Sequence, residues 1–281
     1  MTDTSLKLGL IGDNIAQSRA PVLHRLAGEQ NHVQVTYERL VPRTLGQSFD
    51  EVFDTCAAQG YRGINITYPY KEVAAGRVTV DEPLVRAMGA VNTVIFTQTG
   101  AKGFNTDHSG FMAAYRSQRG ARPTGTVLMI GSGGVGRAVA FGLAGLGTRS
   151  LRLVDREPAK AQALAAALQA AAPDMDISTW TSAEKAADGA AGLINCTPVG
   201  MVGYEGTPLV APAMAGAEWA FDAVYTPTDT RFLQDARAAG LSIISGWELF
   251  FFQGVHAWAL FSGLGLDEDR LRASLTETRS D

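Results

Sequence analysis

The chain has 281 residues, 46% of them hydrophobic and 19% charged, and its 24 Lys and Arg against 28 Asp and Glu give a formal net charge of −4. That length calls for about two domains, and that apolar share fills packed cores, which excludes a wholly disordered chain. A slightly acidic balance with no basic run excludes an electrostatic footprint for nucleic acid.

Cys56 and Cys196, the two cysteines, belong to no CxxC or Cys/His cluster, so no metal site is expected. The N-terminus lacks an apolar core, and no apolar run approaches the ~20 residues of a membrane helix. The expectation is a cytoplasmic protein with no membrane partner.

In chain order, Leu8–Gly12 reads as a buried strand, and Val22, Leu23 and Leu26 mark a helix over 21–31. Residues 36–41 are β-rich. Phe49, Val52, Phe53 and Ala57 share a helical face. Residues 63–67 form a strand that Pro69 cannot continue. Strands follow at 90–96 and 102–106 around a turn at Thr99-Gly100.

The soft segment 120–125 reads as a linker. After it come a strand at 126–130, a helix at 135–146, a strand at 151–154 and an alanine-rich helix at 159–172. Further strands are expected at 192–196, 219–224 and 241–244. Such alternation predicts an α/β chain whose second part is a doubly wound parallel sheet of Rossmann type.

Gly131-Ser-Gly-Gly-Val-Gly136 fits G-x-G-x-x-G between a strand and a helix. Gly131 can make the tight turn, Gly133 admits a pyrophosphate to the backbone, and Gly136 lets the helix pack closely. Ser132, Gly134 and Val135 supply the remaining N–H groups at the positive end of the helix. Asp155 ends the next strand, roughly 20 residues on, where a carboxylate accepts from ribose hydroxyls. It favours NAD and repels the 2′-phosphate of NADP. Arg156 leaves NADP open, since it could neutralise that phosphate or lie on the adenine face; alternatively, Asp155-Arg156 is an exposed, solvated turn. His24, His32, His108 and His256 show no metal-binding spacing, so surface or supporting roles are expected. No G-x-S-x-G elbow points to a serine hydrolase.

Several segments in order resemble the shikimate/quinate dehydrogenase family. They are Leu8–Gly12 leading to Gln17–Pro21, Gly63–Lys71, Gly89–Thr93, Asn105–Asp107, Asn195–Met201 and Gly246–Gln253. The resemblance implies an NAD(P)-dependent oxidoreductase with an N-terminal α/β substrate domain, residues 1–108 completed by C-terminal helices 246–281. The Rossmann domain would be 109–245, with the site in the cleft. Hydride would pass between the nicotinamide and the 3-hydroxyl carbon of a cyclic polyol carboxylate. Lys71 would move the hydroxyl proton or stabilise the alkoxide, and Asp107 would align them. Alternatively, Lys71 is a surface lysine and Asp107 a helix N-cap.

Ser18, Asn65, Thr67, Asn92, Tyr225 and Gln253 would contact substrate; Thr197, Pro198, Val199 and Gly246 would line the cofactor. Asn92 could instead satisfy backbone in a turn, and Tyr225 could pack on the core. One departure concerns the substrate carboxylate: the family's Ser-x-Ser or Ser-x-Thr is here Ser18-Arg19-Ala20, removing a hydroxyl that Arg19 could replace. Rival assignments are a divergent dehydrogenase for an aminoshikimate-like or other polyol acid, a non-catalytic cofactor-binding sensor, and a methylene-tetrahydrofolate-type dehydrogenase of similar layout. A homodimer stays open.

Overall fold

The structure is a computed structural model that describes residues 5–278. Its elements begin with β1 (Ser5–Ile11), α1 (Ala20–Gln30), β2 (Gln34–Leu40), α2 (Pro42–Leu45), α3 (Phe49–Ala58) and β3 (Gly63–Ile66). Next come α4 (Lys71–Ala75), α5 (Pro83–Met88), β4 (Thr93–Thr97), β5 (Gly100–Phe104) and α6 (Thr106–Arg119). There follow β6 (Thr126–Ile130), α7 (Gly134–Gly145), β7 (Ser150–Val154), α8 (Pro158–Ala171), β8 (Asp176–Trp180) and α9 (Ala183–Ala187). The chain ends with β9 (Gly192–Asn195), β10 (Trp219–Asp222), α10 (Arg231–Ala238), β11 (Ser242–Ile244), α11 (Gly246–Ser262) and α12 (Glu268–Glu277).

Two compact units result, one running to Thr106 and resuming at Gln253, the other Asp107–Phe252. The first holds a five-stranded sheet in the order β2-β1-β3-β4-β5. β1 runs parallel to β2 and β3, while β4 and β5 form an antiparallel hairpin on β3. Gly63 is glycine because the strand packs against Phe261: a Cβ there would lie 2.5 Å from that ring. α3 starts with a capping box, the Ser48 hydroxyl accepting from Glu51 N–H and the Glu51 carboxylate from Ser48 N–H. Its buried face, Phe49, Val52, Phe53 and Cys56, joins Ile64, Ile66 and Val94 in one core.

The second unit is an all-parallel six-stranded sheet in the order β11-β10-β9-β6-β7-β8. Central strands β6 and β9 are buried almost throughout, as continuous apolar runs covered on both faces should be. The order reverses between β9 and β6, and the crevice beyond the carboxyl ends there is where ligands bind such sheets.

Two strand placements need correction, and one strand is not among those expected. The strand placed at 90–96 starts at Thr93, and the backbone before it bonds outside the β3–β4 ladder: Val91 N–H donates to the Lys71 carbonyl at the start of α4 and Asn92 N–H to that of Phe104 at the end of β5. The strand placed at 102–106 is Gly100–Phe104, since Thr106 already opens α6. β8, half exposed and short of apolar residues, carries no strand signal of its own.

Candidate active site

In the first unit, Ile11 and Ile66 are register partners, so the chains leaving β1 and β3 emerge at the same sheet edge. Asp13 N–H donates to the Tyr68 carbonyl at 3.1 Å, and Thr67 N–H to that of Ile11 at 2.9 Å. The Tyr70 hydroxyl donates to Asp13 Oδ1 at 2.8 Å, its ring stacked on Phe49. Gly12 has to be glycine, as a Cβ would fall 2.3 Å from Thr67 Cγ2. These ties hold the Ser18 loop against the Thr67–Lys71 loop. Lys71, half buried, is the first residue of α4, and its carbonyl bond to Val91 N–H brings in the Ala90–Asn92 loop.

The two asparagines differ in what remains to offer. Asn92 Oδ1 accepts from Thr106 N–H at 2.7 Å and from the Thr93 hydroxyl at 3.0 Å. Its carbonyl end thus satisfies backbone at the start of α6, while its Nδ2 donates to no described group. Asn65 already bonds within the protein from both ends, which leaves a second lone pair on Oδ1. Its Oδ1 accepts from the Tyr37 hydroxyl at 2.8 Å, and its Nδ2 donates to Thr93 Oγ1 at 3.0 Å.

Behind Tyr37 lies His24, stacked on it at 5.0 Å and 1% exposed. Burial pushes the His24 imidazole down to about 3, so it is neutral near pH 7, and burial pushes the Tyr37 hydroxyl up, keeping it a donor. His24 and Tyr37 support the site from behind. No sequence motif marks either one.

Ser18 Oγ accepts from Ala20 N–H at 3.3 Å. The Arg19 side chain turns to α12. Its Nη2 donates to the Leu275 carbonyl at 2.8 Å and to Thr278 Oγ1 at 2.9 Å, a carbonyl and a hydroxyl at the end of α12. Gln253 is half buried within α11. Asp107 follows Thr106 inside the first turn of α6, two residues past the cap position at Asn105; a carboxylate there suits the helix dipole.

The second unit supplies the glycine turn. Ile130 pairs with Val154 on one side and Asn195 on the other, which sets the turn beside both the Asp155 and the Cys196–Gly200 segments. Gly131 has φ +100°, and a Cβ there would come within 2.7 Å of the Cys196 backbone. A Cβ on Gly136 would meet the Gly131 carbonyl at 2.1 Å, so α7 packs on the turn only without one. At Gly133 and Gly134 a Cβ would meet nothing within 4 Å. Here the glycines leave room for something other than protein.

Ser132 Oγ is buried without a hydrogen-bond partner, and the first N–H groups of α7 have none within the helix. Asp155 accepts from Ser132 N–H at 2.7 Å and Glu157 N–H at 2.9 Å, holding its carboxylate at the turn. The Arg156 side chain is 91% exposed. Thr197 N–H and Oγ1 both donate to Asn195 Oδ1, and Val199 N–H donates to Thr197 Oγ1. Pro198 is exposed. Gly246 opens α11 where a Cβ would collide with the Val224 carbonyl at 2.6 Å, and Tyr225 stacks on Phe250 at 5.6 Å. An unpartnered buried hydroxyl, an open glycine backbone and a fixed acceptor fit the phosphate and ribose groups of a dinucleotide.

Residues 10–94 match the family described as the shikimate dehydrogenase substrate binding domain. A quinate/shikimate dehydrogenase (NAD(+)) of Corynebacterium efficiens is 36% identical over 98% of this chain and 99% of its own. A shikimate dehydrogenase (NADP(+)) of Arthrobacter is also 36% identical, over 97% and 95%. The solved quinate dehydrogenase from Corynebacterium glutamicum in complex with NAD superposes with a TM-score of 0.92 at 32% identity, over 98% of this chain and 99% of that one. With a glycine turn in one unit, the Lys71 and Asn92 loops joined in the other, and relatives of this similarity along nearly its whole length, the chain belongs to the shikimate/quinate dehydrogenase family.

Proposed function

We infer that this chain is an NAD(P)-dependent oxidoreductase moving a hydride between the cofactor and the 3-hydroxyl carbon of a shikimate- or quinate-type cyclic polyol carboxylate. The observation that carries this is the glycine turn with its unpartnered Ser132 hydroxyl and fixed Asp155 carboxylate, in a chain that also bears the family's whole Lys71 segment. When bound, the dinucleotide supplies the hydride-accepting nicotinamide. Lys71 takes the proton of the reacting hydroxyl or stabilises the developing alkoxide, and Asp107 aligns that transfer. Asn92 Nδ2 donates to a ring oxygen; Asn65, Thr67 and Gln253 contact the ring; Ser18 and Tyr225 hold the carboxylate. Gly131–Gly136, Asp155, Arg156, Thr197–Val199 and Gly246 receive the cofactor.

We assign residues 1–108 and 246–281 to the substrate domain and 109–245 to the dinucleotide domain. A cytoplasmic setting accords with two free cysteines, one of them buried.

NAD is the favoured cofactor. Asp155 is an acceptor-only group at the ribose end, and a 2′-phosphate there meets like charge. Steady-state rates with shikimate, quinate and aminoshikimate, each with NAD and NADP, test both substrate and cofactor. The expected result is a higher kcat/KM with NAD, with Asp155→Asn narrowing the preference. A wild-type kcat/KM tenfold higher with NADP contradicts it. A second reading, a divergent dehydrogenase for another polyol acid, is favoured by one observation: Ala20 removes a hydroxyl, and the Arg19 side chain turns to α12.

A further inference from the structure

We propose that Asp222 is a positioning residue that, through Asn195, fixes the conformation of the 196–200 loop, part of the Asn195–Met201 segment that resembles the family's loop against the nicotinamide half of the dinucleotide. The proposal rests on the NAD(P)-dependent function inferred above.

Asp222 ends β10 fully buried, register partner to Asn195 at the end of β9. A buried carboxylate needs donors, and three converge on it. Asn195 Nδ2 lies at 2.9 Å, Val224 N–H at 3.0 Å and the Thr230 hydroxyl at 2.5 Å. Because an ionised carboxylate can only accept, it compels the Asn195 amide to turn its NH₂ towards it. The carbonyl end then faces the other way. It accepts from Thr197 N–H at 2.9 Å and from Thr197 Oγ1 at 2.7 Å, and the oriented Thr197 hydroxyl accepts from Val199 N–H at 3.1 Å. Asn195 Nδ2 also reaches the Val199 carbonyl at 3.0 Å. The chain is oriented from both ends, by the Asp222 carboxylate, which can only accept, and by the Thr197 and Val199 N–H groups, which can only donate.

Thr230 clamps the far end of the same loop. Its hydroxyl donates to Asp222 and accepts from Leu233 N–H at the start of α10. Its side chain also packs where a Cβ on Gly200, at φ +100°, would be 3.4 Å away. Burial pushes the Asp222 carboxyl up to about 6. Cys196 is the titratable group that faces it, and burial pushes that thiol well up, so near pH 8 Asp222 is ionised beside a neutral thiol.

The test compares binding of NAD with that of AMP, which lacks the nicotinamide half, by isothermal titration calorimetry at pH 8. Asp222→Ala should weaken NAD about tenfold or more while AMP binding stays within about twofold. Asp222→Asn, which keeps one acceptor oxygen, should restore part of the NAD affinity. Asn195→Ala should reproduce the Asp222→Ala pattern and add little when combined with it. Where Asp222→Ala fails to fold, Asp222→Asn and Asn195→Ala carry the same comparison.

NAD and AMP weakened alike, or a NAD-to-AMP affinity ratio unchanged in every variant, overturns the proposal. A wild-type protein that binds no NAD overturns the functional reading instead. The loop claim is then decided by hydrogen exchange at the Thr197 and Val199 amides, where acceleration in Asp222→Asn supports it and unchanged exchange refutes it.

Discussion

Replacing Lys71 with alanine lowers kcat by about 10²-fold or more, the usual range for a positioned proton-transfer group. Asp107→Ala does the same. Two bonds that frame Lys71, from Val91 N–H to its carbonyl and from the Tyr70 hydroxyl to Asp13, do not involve its side chain and remain when that side chain is truncated. Asp107 sits in a helix first turn, where losing a carboxylate costs ~0.3–1 kcal/mol of stability, far too little to mimic a catalytic defect of that size. NAD affinity should hardly move in either variant, since neither residue belongs to the glycine turn at Gly131–Gly136. Steady-state kinetics and a cofactor titration check both. Near-normal kcat in either variant removes that residue from the proton-transfer pair.

Acid stability should depend on His24. Its folded-state value is depressed from 6.5 to about 3, so the unfolded chain takes up the proton first. Stability from this group is full above pH 6.5 and falls as pH drops towards 3, by on the order of 5 kcal/mol in all. Asp222 works in the opposite sense. Its folded-state value is raised from 3.8 to about 6, so its contribution grows as pH falls through that window. The His24 displacement is the larger, and the pair together favour unfolding in acid. His24→Leu should therefore give a flatter or reversed dependence in urea unfolding between pH 7 and 4, relative to wild type. An identical loss in both proteins contradicts the assignment.

What the sequence reveals divides along local and non-local lines. The glycine turn is legible because backbone sterics dictate it: Gly131 needs positive φ, and Gly136 tolerates no Cβ. The alternating strands and helices of the second unit are legible from their apolar runs and periodicity. β8 is not, because an edge strand with half-exposed polar residues has no such pattern. The loop at Ala90–Asn92 reads as strand by its composition, and only its bonds to Lys71 and Phe104 show otherwise.

Among the site residues, the segments around Lys71 and Asn92 stand out as motifs. Their supports do not. Tyr37 reaches Asn65 across 28 positions, Asp222 reaches Asn195 across 27, and His24 meets Tyr37 face to face. Such pairings are created when strands come into register, so no spacing rule exposes them. Arg19 shows the converse: a promising neighbour of the carboxylate loop is engaged by the end of a helix more than 250 positions away.

The central claim is hydride transfer from the ring carbon that bears the 3-hydroxyl. Shikimate or quinate carrying deuterium at that carbon, incubated with the enzyme and NAD, tests it directly by mass spectrometry of the reduced cofactor. The account predicts that the deuterium appears on the nicotinamide ring of the reduced cofactor and that Lys71→Ala slows its appearance about 10²-fold or more. Reduced cofactor without the label, or no reduction of NAD or NADP by either acid, contradicts it.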